Sequence, residues 1–174
     1  MPDMLVKLYD LDFGWADEIQ AKKGVTIRKP IAPERRYVID WVMDVDGACW
    51  ADEVANAMAH TPYTCFIATK EDELVGFAVY DSVALGFFGP TGVRPEHRNQ
   101  GIGTALMLAC FRDMRMKGYG YAIVGGVGPQ AYYEKTVNAV AIPDSWPGVY
   151  KGMLTLGDKV SWDSERQRWV RQQT

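Results

Sequence analysis

The chain has 174 residues, of which 48% are hydrophobic and 24% are charged, and these values fit one globular domain. Its formal net charge of -3 and its pI near 5.4 argue against a protein whose main task is to neutralise nucleic-acid phosphates. No apolar run approaches the roughly 20 residues of a membrane span. The first residues, Met-Pro-Asp, also lack the pattern of a signal peptide. We therefore expect a cytoplasmic protein without nucleic-acid or membrane partners.

The first part of the chain predicts short strands and two helices. A leading strand over 4–8 is followed by a loose segment or short helix over 10–24, and the alternation in 25–29 predicts another strand. Pro33 is placed as a first-turn proline. The helices predicted after it, separated by Asp46-Gly47, cover 34–45 and about 48–59.

A run of strands comes next. Residues 63–69 and 74–80 are β-branched and aromatic, and the four residues between them predict a tight hairpin turn. A third strand over about 84–93 contains three glycines and Pro90, which indicates a bulge or a free edge.

The last part predicts a β-α-β order and a further helix and strand. A helix over 101–117 ends at Gly118, a strand covers 119–124, a short helix begins near Pro129, and a final strand covers about 150–156. The order of elements predicts an α/β fold of the α+β type, with a mixed sheet flanked by helices. The three cysteines (Cys49, Cys65 and Cys110) lack metal-ligand spacing, so we expect free thiols and no metal site.

The stretch from Val93 to Thr104 carries the clearest chemical signal. A strand ends, a short loop follows, and a helix opens at Gly101 and Gly103. The unpaired N–H groups and the dipole of a first helical turn attract phosphate, and Arg98 adds a cation. The alternative is that both glycines only permit close packing of strand and helix, but the combined strand, loop, arginine and helix favour a phosphate site.

The hexapeptide Arg98-Asn99-Gln100-Gly101-Ile102-Gly103 resembles the Q/R-x-x-G-x-G/A signature of the GNAT superfamily of N-acetyltransferases, and Val93-Arg94-Pro95 matches its V-x-P. The resemblance covers about 25–156. It implies a mostly antiparallel sheet in which a splayed strand pair admits acetyl-CoA, with the pyrophosphate on the amides of 99–104 and the pantetheine arm on two strand residues. The cofactor-binding residues so implied are Thr91, Val93, Arg98, Asn99, Gln100, Gly101, Ile102, Gly103 and Thr104.

A second match lies in Ala131-Tyr132-Tyr133-Glu134-Lys135, which resembles the family's A-x-F-Y-E-K segment. The resemblance gives Tyr133 the role of the acid that protonates the departing thiolate. The alternative is a structural tyrosine packed on the sheet. Many relatives have Asn about five residues earlier, where this chain has Gly128-Pro129. A subgroup of uncharacterised bacterial GNAT proteins is similar in that variant and in the segment 146–150.

The segment Gly126 to Ala131 also satisfies the G-x-G-x-x-A dinucleotide fingerprint. The chain after it is too short for the rest of a doubly wound half, and no acidic residue stands at the required distance. We therefore interpret these glycines as the point where two parallel strands separate, and we regard an NAD-dependent oxidoreductase as improbable.

The sequence identifies the residues that would bind and deprotonate the amine acceptor less clearly than those that would bind the cofactor. Asp81, Glu53 and His60 are candidates for a general base, and a water relay without a single base is an alternative. The oxyanion donor is expected between Gly89 and Thr91, where Pro90 has no N–H to offer. Four aromatic residues either line an acceptor cleft or belong to the core: Trp41, Trp50, Trp146 and Tyr150.

The resemblance predicts one acetyltransferase domain over 1–174, with an N-terminal extension over 1–24 and a polar tail over 158–174. Its predicted reaction is direct transfer of acetyl from acetyl-CoA to a primary amine, since none of the cysteines lies in the matched motifs. A non-catalytic acyl-CoA-binding module is the alternative. A homodimer is compatible with the resemblance.

Overall fold

The computed structural model describes residues 2–154 and the backbone of the strands Val160–Asp163 and Arg168–Arg171. The strands are β1 Met4–Lys7, β2 Thr26–Arg28, β3 Cys65–Lys70, β4 Glu73–Tyr80, β5 Phe87–Val93, β6 Tyr121–Val124, β7 Val140–Ala141, β8 Val160–Asp163 and β9 Arg168–Arg171. The helices are α1 Gly14–Lys23, α2 Arg35–Asp46, α3 Ala48–Ala57, α4 Ile102–Met116 and α5 Gln130–Val137.

Seven strands form one sheet in the order β2-β3-β4-β5-β6-β1-β7, and β8 pairs with β9 in a separate antiparallel hairpin. All neighbours in the large sheet are antiparallel except β5 and β6. That parallel pair is short, because only Phe87 and Phe88 of β5 have partners on β6. Beyond Phe88 the two strands separate. The predicted mixed sheet with a splayed strand pair is confirmed.

The strand β4 supplies side chains to both faces of the sheet, and the register shift at Val75, between the pairs Thr69–Leu74 and Ala68–Gly76, interrupts its two-residue alternation. Val75, Ala78 and Tyr80 face a core built with α1 and α4. Leu74, Phe77 and Val79 face a second core built with α2 and α3. The sheet therefore separates two helical layers.

Backbone conformation explains where these elements end. Gly47 separates α2 from α3 at φ 91°, and Gly118 follows α4 at φ 98°, in the region that favours glycine. The hairpin between β3 and β4 turns through Glu71 and Asp72, which have φ of 51° and 65°. Two successive positive φ values give the turn that fits the twist of a hairpin.

The N-terminal elements agree with the prediction, whereas the predicted final strand does not. The segment 10–24, predicted as loose or as a short helix, contains α1, and the predicted leading strand is β1, which lies inside the sheet between β6 and β7. The final strand predicted over 150–156 is wrong where the structure describes it, because Gly148–Tyr150 is a 3-10 helix and residues 151–154 form a turn and coil. Apart from the backbone of β8 and β9, the polar tail predicted over 158–174 lies outside the described residues. Among those that are described, no helix has the length and apolar character to cross a membrane.

Candidate active site

The separation of β5 and β6 opens a cavity of about 410 Å³ in the sheet. Residues 88–91 of β5 form one wall, and residues 124–129, which end β6 and follow it, form the other. Trp50 of α3 and Tyr133 of α5 complete the lining. Trp50 contacts Phe77 of the α2/α3 core, whereas Tyr133 packs against the α1/α4 core. The cavity is therefore lined by side chains from both layers.

The backbone of β5 faces this cavity with unpaired donors. The N–H of Arg94 donates to the carbonyl of Val75 on β4, over 2.9 Å. Peptide groups alternate in direction along a strand, so the N–H groups of Thr91 and Val93 point away from β4 and toward the separated β6. An irregularity opposite Val79 places two residues, Gly89 and Pro90, against one, which is the predicted bulge.

The loop after β5 presents a row of free N–H groups. The N–H of Arg98 donates to Pro95, and that of Ala105 donates to Gly101. In the described structure the N–H groups of residues 99–104, which lie between these two bonds, have no protein acceptor. They include the first turn of the 15-residue helix α4. Such a row at the positive end of a helix dipole fits a pyrophosphate.

Gly101 gives this loop its shape. Its φ of 85° lies in the left-handed region, and a Cβ placed on it would lie 3.1 Å from Cδ1 of Ile19 on α1. Gly103 has an ordinary φ, and a Cβ there would meet Cγ2 of Val93 at 3.6 Å, a normal contact. Only Gly101 is therefore required by both conformation and packing.

The amides of the predicted cofactor residues form one row, whereas their side chains have different partners and different burial. The Nε of Arg98 donates to the carbonyl of Val93 over 2.9 Å, which holds the exposed guanidinium at the mouth of the strand separation. Gln100 donates to the carbonyl of Glu96 over 3.4 Å. The side chain of Ile102 is buried in the core, so only its N–H is available to a ligand.

Tyr133 and Tyr132 have different partners. Tyr133 lines the cavity, and its burial raises the pKa of its hydroxyl to about 12. The hydroxyl of Tyr132 instead shares a hydrogen bond of 2.7 Å with Oγ1 of Thr104 in the first turn of α4. The two rings meet edge to face at 4.9 Å. Tyr132 thus fixes the helix of Tyr133 against the loop of free N–H groups, a link that the sequence analysis missed.

An acidic and aromatic region adjoins the wall of the cavity that Trp50, Gly125 and Gly126 form. Glu53 follows Trp50 by three residues on α3, and burial raises the pKa of its carboxyl to about 7. Tyr150 lies against the cavity wall, since its Oη would be 3.5 Å from a Cβ on Gly125. Burial, followed by the charges of Glu53 and Asp3, raises the pKa of Tyr150. The charges of Glu53 and Asp3 thus both act on the Tyr150 hydroxyl.

Asp3 anchors the chain segment that carries Tyr150. Its buried carboxylate accepts the N–H of Gly126 over 3.0 Å, and its backbone N–H donates to Oγ of Ser145 over 2.8 Å. The carboxylate also lies 3.0 Å from a Cβ placed on Gly148. The sequence analysis missed Asp3, and no local pattern marks it, because its partners are more than 120 residues away.

The remaining predicted candidates lie elsewhere or are already engaged. Asp81 accepts the N–H of Gly86 over 2.7 Å and the hydroxyl of Tyr119 over 2.9 Å, so both of its oxygens have partners. His60 follows α3 and does not line the cavity. Trp41 is buried in the α2/α3 core against Phe77, as the core alternative predicted.

Comparison with known families supplies the assignment that the geometry alone leaves open. The model of the acetyltransferase (GNAT) family matches residues 32–137, which include α2 to α5 and the loop of free N–H groups. The chain belongs to the GNAT family. The resemblance inferred from Arg98 to Gly103 is confirmed at this level, and the assignment supports acyl transfer from a coenzyme A thioester.

Solved GNAT structures share the fold at low identity. The glucosamine N-acetyltransferase region of a fungal multi-domain GH3 β-N-acetylglucosaminidase aligns with a TM-score of 0.67 and 13% identity, over 81% of this chain and 19% of that chain. A GCN5-related N-acetyltransferase from Sphaerobacter thermophilus aligns with a TM-score of 0.60 and 17% identity, over 81% of this chain and 48% of that chain. The chain thus spans less than half the length of either protein. Comparison with curated proteins gave no match.

Proposed function

We propose that the chain is an N-acetyltransferase that moves acetyl from acetyl-CoA directly to a primary amine. The observation that carries the proposal is the cavity between β5 and β6, which is lined by Tyr133 and by the strand β5, whose following loop presents the row of free N–H groups. We also propose that residues 1–174 act as one domain.

The cofactor half of the proposal rests on backbone donors. The amides of residues 99–104 hold the pyrophosphate, with Arg98 beside them as a further cation. The N–H groups of Thr91 and Val93 pair with the amides of the pantetheine arm, which extends along β5 as an added strand. This arrangement directs the thioester toward the bulge at Gly89 and Pro90.

The chemistry of transfer needs an oxyanion donor and an acid. In the segment 89–91, which lines the cavity, the N–H of Gly89 is left to stabilise the charge that develops on the thioester oxygen, because the N–H of Thr91 pairs with the pantetheine arm. Pro90 cannot serve, because it has no N–H. The hydroxyl of Tyr133 stays protonated at neutral pH, since burial raises its pKa to about 12, and it donates to the departing thiolate.

The cysteines favour direct transfer over a covalent enzyme intermediate. Cys65 and Cys110 are buried in the two cores, where burial raises the pKa of each thiol. Cys49 is exposed on α3 and does not line the cavity. A thiol nucleophile would need a lowered pKa and access to the thioester.

Binding is tested first by thermal shift and calorimetry with acetyl-CoA, coenzyme A and NAD side by side. We expect the two coenzyme A species to raise the melting temperature and NAD to leave it unchanged, because a ligand of the folded state stabilises it. Stabilisation by NAD alone, or by none of the three, would contradict the proposal.

Catalysis is tested by acetyl transfer, corrected for hydrolysis, to a panel of primary amines that includes glucosamine, 1,4-diaminobutane, lysine and glutamate. Transfer to at least one amine is the expected result. Coenzyme A binding without transfer to any amine would indicate the non-catalytic acyl-CoA-binding module instead.

A further inference from the structure

We infer that the acceptor is a positively charged primary amine that binds beside Trp50 and Tyr150 and gives its proton to Glu53. The inference rests on the proposed function, and it names the acceptor class and the base that the sequence left open.

Glu53 lies on α3, the helix that contributes Trp50 to the cavity. Trp50 lines the cavity from α3, and Glu53 is three residues later on the same helix. Residues three apart share one face of a helix, so Glu53 belongs to the face that meets the cavity. The helix is held there by Ser82, whose hydroxyl donates to the Glu53 carbonyl over 2.7 Å, and by Asn56, whose side chain donates to the Ser82 carbonyl over 2.6 Å.

Two carboxylates, those of Glu53 and Asp3, give the surroundings of Tyr150 negative charge. Glu53 and Asp3 both act on the Tyr150 hydroxyl, and neither forms an ion pair with any described residue. No described Lys or Arg lines the cavity. The carboxylate of Glu53 also accepts no hydrogen bond in this part of the chain, and burial alone raises its pKa. A partly buried, unpaired carboxylate gains most from a cation brought by the substrate.

Aromatic side chains form the surface around these acids. The rings of Trp146 and Tyr150 lie 6.4 Å apart and cover the chain at Gly125 and Gly126. Trp50, which is 37% exposed, presents its ring from the other side. Aromatic faces attract ammonium groups, and removing water from them costs less free energy than removing water from polar groups. The missing side chains at Gly125 and Gly126 leave room beside Tyr150.

Other titratable groups near Glu53 do not compete for the role. Tyr150 has a raised pKa and remains neutral, and Asp3 is bound to the N–H of Gly126. Asp81, which precedes Ser82, has both oxygens engaged. On α3 itself, Asp52 is exposed. Glu53 thus has the free carboxylate, with a pKa of about 7 that suits a base at neutral pH.

The proposed transfer begins at the acceptor nitrogen. The ammonium group gives one proton to Glu53, and the amine nitrogen then forms a bond to the acetyl carbon. The carbon–sulfur bond breaks, and the sulfur leaves as a thiolate that takes the proton of Tyr133. The nitrogen, which carries a positive charge after the attack, gives its second proton to solvent. The products are an acetamide and coenzyme A, and solvent restores the protonation of both side chains.

The test compares Glu53→Gln with Asp52→Asn, which removes the same charge from the exposed neighbouring position of α3. Calorimetry with coenzyme A serves as the fold and cofactor control, and 1,4-diaminobutane and glutamate are the acceptor probes. We expect Glu53→Gln to bind coenzyme A normally and to lose about 10²-fold or more in kcat/KM for the diamine. Asp52→Asn should remain near wild type, and the wild type should prefer the diamine to glutamate.

The pH profile separates a base from a merely structural residue. Wild-type kcat/KM should rise with pH up to about 7, where Glu53 becomes ionised, and Glu53→Gln should lack this limb. An unchanged limb in Glu53→Gln, or a preference for glutamate, would overturn the inference while the acetyltransferase proposal stands. Absence of transfer to every amine, despite coenzyme A binding, would overturn both.

Discussion

Trp50 and Tyr133 lie in different helical layers, and yet both line the cavity between β5 and β6. A continuous sheet would keep the two layers apart. Here the parallel pair ends at Phe88, so the sheet has an opening through which a group held on the Tyr133 side can meet one held on the Trp50 side. The separation of β5 and β6 is thus the feature that would let a cofactor and an acceptor bound by different layers react, as the proposed function requires.

The two glycines of the loop are expected to respond differently to alanine. Gly101→Ala places a Cβ at a φ of 85° and against Ile19, and we expect it to lower the free energy of unfolding by about 1–2 kcal/mol. It should also weaken coenzyme A binding about tenfold, the effect of about 1.4 kcal/mol. Gly103→Ala is the control, because its Cβ meets only an ordinary contact. Thermal melts and calorimetry measure both, and equal losses in the two variants would contradict this view of the loop.

Removal of the Tyr133 hydroxyl is expected to affect turnover and not binding. Tyr133→Phe keeps the ring in the core, so we expect the affinity for coenzyme A to be unchanged and kcat to fall about 10²-fold. Because burial raises the pKa of Tyr133 to about 12, the hydroxyl should not cause an alkaline decline near neutral pH in the wild type. The exposed Tyr37 of α2 offers the control Tyr37→Phe. Full turnover in Tyr133→Phe would remove the acid role.

The sequence predicted those parts of the structure that depend on local pattern. The hairpin of β3 and β4, the helix α4 and the loop at Gly101 are each specified by neighbouring residues. The final strand failed because Met153 and Leu154 suggest a strand although they are 60% and 90% exposed. Without burial, apolar residues do not stabilise a strand.

The acceptor side was harder to predict because it depends on contacts between distant segments. Glu53, Asp81 and His60 were equivalent candidates in the sequence. Only the fold shows that Asp81 is fully engaged and that Glu53 has no ion-pair partner among the described residues. Whether a charged side chain is buried depends on contacts between distant segments, so the local sequence pattern does not predict it.

Asp3 is expected to act as a positioning residue for the aromatic wall. Asp3→Ala leaves the N–H of Gly126 without its partner, whereas the backbone N–H of residue 3 still donates to Ser145, so we expect a loss of about 1–3 kcal/mol in unfolding free energy. The KM for the amine should rise, whereas coenzyme A affinity should change little, because the loop of free N–H groups is at the other end of β5. Asp3→Asn retains an acceptor for Gly126 and should restore much of the KM. Equal effects on both ligands would argue against this role.

Glu53 is expected to destabilise the folded protein above neutral pH. Its carboxyl has a pKa of about 7 when folded, against the ordinary value of 4.5, so the folded state binds the proton more tightly. The free energy of unfolding therefore falls as pH rises through this interval. Glu53→Gln removes the effect, and at pH 8 it should be more stable than the wild type by on the order of 1–2 kcal/mol after allowance for solvent screening.

Urea unfolding at pH 5 and pH 8 measures this difference for the wild type, Glu53→Gln and the exposed control Asp52→Asn. At pH 5 the wild-type carboxyl is mostly protonated in the folded state, so the advantage of Glu53→Gln should largely vanish there. Asp52→Asn should show no comparable gain at either pH. A variant that is more stable but less active is the expected signature of a charge kept for function, because its burial without a partner opposes folding. If Glu53→Gln is instead less stable at pH 8, the carboxylate has a stabilising partner in the free protein, and the acceptor ammonium is not needed to neutralise it.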